Sequence, residues 1–400
     1  MELQAQLQLI QNVKEEWKDD ECIKQIAEVV KNTKENLSKA FRDSLDRLSI
    51  FQPKETIVEK VLKGFPECMK VKNELDIFPI QSCLFQVTNK GKSLKYIPVL
   101  AKEGLEREIG GADKRGGLLT RVKTLYGNLN ILQYLAFLPG ENYDRLAVNT
   151  MEELKKLGLL KKDDIRKKNL AFISARFGKE AELRFRFLLE WDPAFPKARR
   201  TIRETGVIQP PFMCHLISKH KKLENVKANL IVTMDMYPEE AGLLFQKYDG
   251  TTALEYAFEK FGEKETMAML HEILSPTKSI PILHHALVYI PQKDKLFTKW
   301  FPWAFHLRDH HGRSLHQAIM AAGGKCIEES TTIIASMSDD QVQEKDPITT
   351  LYPFAAVASG EDGDLERSFE LLRRQPGVLD RNPVQRNLGR TKKRKRSSAI

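Results

Sequence analysis

The sequence predicts an all-α protein arranged as a solenoid of stacked helix-turn-helix units. Apolar residues recur at helical spacing along most of the 400 residues. Pro and Gly break these runs at short intervals, and one turn-helix-turn-helix unit of roughly thirty residues recurs along the chain. Composition supports a packed protein: 42% of residues are hydrophobic and 30% charged, with twenty Phe and four Trp. Gly and Pro stand at ordinary levels, which excludes collagen-like and low-complexity chains.

Residues 1–50 form the first expected element, an amphipathic helical segment. Leu3, Leu7, Ile10, Val13 and Trp17 make one stripe, and Ile23, Ile26, Val30, Leu37, Phe41, Leu45 and Leu48 another. No Pro or Gly interrupts them. Leu3, Ile10 and Trp17 suit a coiled-coil seam, whereas the later positions drift out of a strict heptad and favour a helical hairpin packed on the body.

Residues 51–385 form the expected array, and its clearest unit follows Tyr248. Asp249-Gly250 is a turn dipeptide. Thr252 and Glu255 then have the spacing of a capping box, in which each side chain satisfies a backbone donor freed by the helix start. Ala253, Leu254, Ala257, Phe258 and Phe261 share one face of a short helix, and Gly262 suits its end. Met267, Leu270, Ile273 and Leu274 form the apolar side of a second helix, which Pro276 stops.

The same order returns downstream. A helix opens at Pro281-Ile282-Leu283-His284-His285-Ala286 and closes at Pro291; Leu296, Phe297 and Trp300 supply its partner. Asp309-His310-His311-Gly312 is the next turn, followed by Ser314-Leu315-His316-Gln317-Ala318. Pro353-Phe354 begins the last pair, whose second helix carries Leu365, Phe369 and Leu372. The starts at Leu254, Leu283, Leu315 and Phe354 are about 29, 32 and 39 residues apart, near the nominal repeat of about 33 in ankyrin units.

Leu283-His284-His285-Ala286 and Leu315-His316-Gln317-Ala318 resemble the Leu-His-x-Ala part of the ankyrin signature. Thr252-Ala253-Leu254-Glu255-Tyr256-Ala257 keeps its Thr, Leu and Ala, and Phe78-Pro79-Ile80 its Pro and an aliphatic residue. The span from about Phe65 to Leu379 also resembles a large family of divergent ankyrin-like proteins of diatoms and related algae. That likeness lies in Phe65-Pro66, Ile97-Pro98-Val99-Leu100, Gly116-Gly117-Leu118-Leu119, Tyr237-Pro238-Glu239-Glu240, Leu244-Phe245-Gln246-Lys247 and Asp346-Pro347-Ile348-Thr349-Thr350-Leu351-Tyr352-Pro353-Phe354. It implies an ankyrin-like helical fold. It also implies that the histidine of the signature, His316 here, hydrogen-bonds the adjacent turn. The signature is faintest in the 84–200 region, and spacing there is irregular.

A stacked array exposes broad flanks rather than enclosed clefts, so the expected function is a protein-protein interaction scaffold with unidentified protein partners. No enzymatic activity and no cofactor are expected. The charge is +10, and six of those charges lie in residues 390–396; the remainder carries only +4. Residues 386–400 therefore read as a basic tail without apolar periodicity. Lys392, Lys393, Arg394, Lys395 and Arg396 suit the acidic groove of a nuclear import receptor, and nuclear localisation is favoured over cytoplasmic. A nucleic-acid-associated protein holding phosphates through that tail is the alternative. The five cysteines are scattered without a Cys-x-x-Cys pair, which suits reduced thiols. No secretory signal and no membrane span are expected, since no run approaches the roughly eighteen apolar residues a span needs.

Other chemistry is weakly patterned. Gly111 to Gly116 has the Gly-x4-Gly spacing of a phosphate loop, but Gly117 and Leu118 stand where Lys and Ser or Thr belong, so a tight turn is expected. His306 and His310 are four apart, yet no Cys or carboxylate cluster completes a zinc site. Basic runs such as Lys161-Lys162 and Arg166-Lys167-Lys168 are interleaved with acids and read as solvated faces. An enzyme of unknown type would have to lie in the 84–200 region.

Overall fold

The computed structural model describes residues 55–64, 66–85, 93–124, 127–194, 222–248, 250–274, 279–321, 337–359, 365–374 and 376–377. The N-terminal segment 1–50, Asp249, Pro276 and the tail from 386 lie outside the described residues. The chain is mostly helical with few strands. Among the described residues, no helix is long and apolar enough to cross a membrane. The expected single array 51–385 divides into two compact units, one ending at Val232 and the other beginning at Thr233.

In the first unit, α1 (Glu55–Gly64), α2 (Pro79–Phe85) and α3 (Ile97–Glu106) come first. A glycine-rich turn leads to a short antiparallel hairpin, β1 (Val122–Thr124) with β2 (Gly127–Leu129). Then follow α4 (Ile131–Phe137), α5 (Glu141–Lys156), α6 (Lys162–Lys167), α7 (Leu170–Ala175) and α8 (Glu182–Trp191).

Local sequence explains the best-formed of these. Asn130 accepts from the Gln133 amide and Gln133 answers at the Asn130 amide, a reciprocal cap that starts α4. α5 places Glu141 and Asp144 in its first turn and Lys155 and Lys156 in its last, which suits the helix dipole. Ala147, Val148, Met151 and Leu154 recur at i, i+1, i+4 and i+7, so one face of α5 is buried.

These helices pack in two lines. α2 packs on α4 and α4 on α7, while α3 packs on α5 and α5 on α8. Cross-contacts join α2 to α3, α4 to α5, and α7 to α8. The first-line helices are the shorter ones, so each buries its apolar stripe only with help from its neighbours. α1 extends the second line by packing on α3.

The second unit follows α9 (Leu223–Met236), which runs across the boundary. Asn229 donates to the Ala175 carbonyl at 2.7 Å within the first unit. Met234, past the boundary, closes on Gly242, where a Cβ would stand 2.9 Å from its sulfur. Asn229 thus falls in the first unit and Met234 in the second. That division is invisible in apolar periodicity.

Beyond it lie the hairpin β3 (Lys247–Tyr248) with β4 (Thr251–Thr252), then α10 (Ala253–Phe261), α11 (Glu263–Ile273), α12 (Ile282–Tyr289) and α13 (Asp294–Trp300). α14 (Leu315–Ala321), α15 (Asp339–Gln343), α16 (Pro353–Ala358) and α17 (Leu365–Arg374) follow among the described residues. α10 packs on α11, α12 on α13 and α16 on α17; α12 packs on α14 and α14 on α16. Rings of Phe258 in α10 and His271 in α11 meet Phe297 and Trp300 of α13, at 6.5 and 5.8 Å between centroids.

One sequence expectation is reversed at α17. Leu365, Phe369 and Leu372 carry its apolar pattern, but the helix buries Ser368 and Leu371 instead. Leu371 joins Met337, Val342 and Val357 in a small core flanked by Met320 and Phe354. The reason is directional: a helix whose two neighbouring faces are both apolar can bury only the one its partner reaches.

Candidate functional site

The turns that precede the first helix of each pair are the features the sequence singled out, and the structure links them by one recurring contact. It comes from the third residue of the helix. The Gln81 side chain accepts from the Phe78 amide and donates to the Thr120 carbonyl, at 2.8 and 3.4 Å. Gln133 caps α4 and donates to the Lys168 carbonyl at 3.3 Å. Gln317 accepts from the Ser314 amide and donates to the carbonyls of Glu344 and Lys345, at 3.4 and 3.1 Å. In α12 the same place is held by His284, whose Nε2 lies 3.2 Å from the Arg313 carbonyl.

Each glutamine thus does two jobs, closing the start of its own helix and holding the next turn; His284 makes the forward contact alone, since its helix starts at Pro281 without a side-chain cap. The geometry needs a group that can donate forward, which an amide or a neutral imidazole supplies. Glu255 completes the capping box with Thr252, as its spacing predicted, but a carboxylate cannot donate. The ankyrin likeness implied a bond from His316 to the adjacent turn; Gln317, next to it, makes one to the carbonyls of Glu344 and Lys345.

Two turns of the second unit carry the residues that the sequence singled out. Gly250 sits in the two-residue connection of the β3–β4 hairpin with φ +81°, a conformation open to Gly at no steric cost. Asp249 beside it lies outside the described residues. At Asp309-His310-His311-Gly312 the Gly312 amide donates to the Asp309 carbonyl at 2.9 Å, and Gly312 has φ +78°. The Asp309 side chain accepts from the amides of His311 and Arg313, each at 2.9 Å. His310 and His311 stand exposed at the tip with ring centroids 3.7 Å apart.

The following loop is tied to that turn by two arginines. Arg308 meets Glu344 through both guanidinium ends, at 2.7 and 3.0 Å, and Arg313 meets Asp346 at 2.8 Å. Burial pushes the Asp346 carboxyl up, but the amides of Thr349 and Ile348, with Arg313, outweigh it and hold it below the usual carboxylate range. The loop so fixed projects Ile348, 51% exposed, and Leu351 beside the histidine turn. A rigid scaffold under exposed apolar and aromatic-like tips suits protein contact.

The remaining sequence candidates take structural places. Gly116 lies against α3, where an added Cβ would meet the Ala101 carbonyl oxygen at 2.0 Å. Arg115 beside it grips Asp164 through two bonds, at 2.5 and 3.0 Å, and also the Leu159 carbonyl. The glycine cluster is thus a tight turn pinned to its neighbours. His284 and His285 each bond a backbone carbonyl, the latter that of Glu239 at 2.9 Å. Among the described residues, no three His, Cys, Asp or Glu side chains are placed to hold a metal. Several basic-run members have acid partners: Lys156 with Glu153, Lys167 with Asp163, and Arg166 with Asp192. Lys392 to Arg396 lie outside the described residues.

The sequence reading missed Gln81, Gln133 and Gln317. A signal was available, since each is an amide three residues beyond a helix N-cap, the place that the carboxylate of Glu255 holds in α10. It also missed the buried pair Asp144 and Arg184, whose only trace is an arginine amid the apolar run of α8. No family model, curated protein or solved structure matches the chain.

Proposed function

We propose that this chain is a protein-binding scaffold in which ankyrin-like helix pairs stack within each unit and the row of turn tips forms the docking edge. The observation that carries this reading is the forward hydrogen bond from Gln81, Gln133, His284 and Gln317 to the next turn. It holds successive tips in register, which an extended binding edge requires and an isolated helical core does not. The two lines of helix contacts in the first unit support it further, and they fall in the 84–200 region, where the signature is faintest.

The test is in-cell crosslinking with the full chain and with a His310→Asp, Ile348→Asp double variant. Both residues are exposed, so the variant should keep the wild-type melting temperature. Loss of the recovered proteins is expected; an unaltered set at equal abundance would remove the turn edge from the proposal.

The basic tail adds nuclear targeting in this reading. Five adjacent cations follow a polar stretch, which suits capture by an acidic groove. Alanine at Lys392 to Arg396 should shift a fluorescent fusion from nucleus to cytoplasm. An undisturbed distribution would defeat the targeting role.

A further inference from the structure

The outward face of α17 is an unusual surface for the last described helix of its unit. Leu365 is 66% and Phe369 60% exposed, and Leu372 is half-buried. They lie at i, i+4 and i+7, so they form one stripe along the helix. In the first unit, second-line helices bury such faces on one another, as α3 does on α5 and α5 on α8. Among the described residues nothing covers the stripe of α17. Two large side chains left this open form an adhesive strip rather than a scattered exposed leucine.

The charges beside the stripe say what fits it. Glu366 and Arg373 are seven residues apart and therefore stand on one flank, both exposed. The acid is in the first turn and the base in the last. An antiparallel copy of the same helix, turned about a twofold axis between Phe369 and Glu370, would set Glu366 opposite Arg373 of its mate, and the converse. The two apolar stripes would meet alongside these two ion pairs. The surface is therefore self-complementary in shape and in charge, which is the condition for a closed isologous contact.

We propose that this chain self-associates through α17, the occupant of the exposed stripe being the α17 of a second copy in antiparallel orientation. A ten-residue helix is only about 15 Å long. The contact is therefore smaller than the roughly 1,200 Å² of a stable interface, and the dimer is weak and concentration-dependent. The proposal does not depend on what the turn edge binds.

Sedimentation equilibrium of the full chain, over a wide concentration range, tests it. A monomer–dimer equilibrium is expected for wild type. Phe369→Glu should weaken it at least about tenfold by burying a charge against its copy, with an unchanged circular dichroism spectrum because the side chain is mostly exposed. The decisive arm uses Glu366→Arg and Arg373→Glu. Each alone sets like charges together twice per dimer and should weaken association about tenfold. Mixed in equal amounts, the two variants recreate both opposite-charge pairs, so association should return to the wild-type level as a heterodimer. A wild-type chain that stays monomeric throughout overturns the proposal, whether the stripe is covered by other residues of this chain or by a different protein. Dimerisation indifferent to Phe369→Glu, or a mixture no stronger than either variant, overturns it equally.

Discussion

Asp144→Ala is expected to cost the first unit about 3–5 kcal/mol, the range for removing one partner of a buried ion pair. Arg184 is fully buried and Asp144 nearly so. The Arg184 guanidinium donates to the Asp144 carboxylate at 2.8 Å, to the carbonyls of Leu135 and Ala136, and to that of Glu180 at 2.8 Å. Asp144 also accepts from the amides of Leu183 and Arg184, at 2.7 and 3.1 Å. α8 begins after Ala181, which has no side chain to cap it, so Asp144 of α5 satisfies the free amides from outside. Arg184 does the same for carbonyls near the end of α4.

This double capping separates the pair from an ordinary buried ion pair. Replacing both partners of an ordinary pair with apolar residues is often nearly neutral. Here Asp144→Leu combined with Arg184→Met would still leave the amides of Leu183 and Arg184 and the Leu135 carbonyl without these partners, each costing about 1–3 kcal/mol when buried unpaired. The double variant should therefore remain clearly less stable than wild type. Urea unfolding followed by circular dichroism reads both effects. A loss below about 1 kcal/mol for Asp144→Ala would refute the role argued for the pair.

His284 makes the second unit sensitive to acid. Burial pushes its pKa down from 6.5 to about 4, against a smaller opposite effect of the Arg313 carbonyl. The unfolded chain takes up a proton near the ordinary value, whereas the folded one holds out to about 4. Between those values the unfolded state binds more protons, so stability falls as the pH drops. From pH 7.5 to pH 5 the loss from this residue is about 2 kcal/mol. Burial lowers the His285 pKa too, and adds to the trend in the same direction.

The chain itself suggests the control. Gln81, Gln133 and Gln317 make the forward bond with an amide that does not titrate in this range. His284→Gln should therefore keep near-native stability at neutral pH while flattening the acid slope. His284→Ala should lose the bond and destabilise the unit at every pH. Equal acid slopes for wild type and His284→Gln, from chemical unfolding between pH 5 and 7.5, would dismiss His284 as the sensor.

Legibility followed sequence distance. The Thr252–Glu255 box, the Gly250 and Gly312 turns, and the short paired helices were readable because each rests on residues within a few positions of one another. The Gln133–Lys168 and Gln317–Lys345 bonds span neighbouring pairs, and only their first half, the amide near a helix start, leaves a local mark. Asp144 and Arg184 are forty positions apart, and in sequence Asp144 looks like an ordinary first-turn acid on a solvated helix.

The sequence by itself determined the helical class, the pairing of short helices and the turn chemistry, because periodicity, caps and left-handed glycines act over one or two turns of chain. Tertiary structure alone decided which apolar face each helix buries, as α17 shows by hiding Leu371 and presenting Phe369. It alone decided that Asp144 is a cap rather than a surface charge. In each case the outcome depends on which partner arrives from a distant segment, and a local pattern offers several faces without choosing among them.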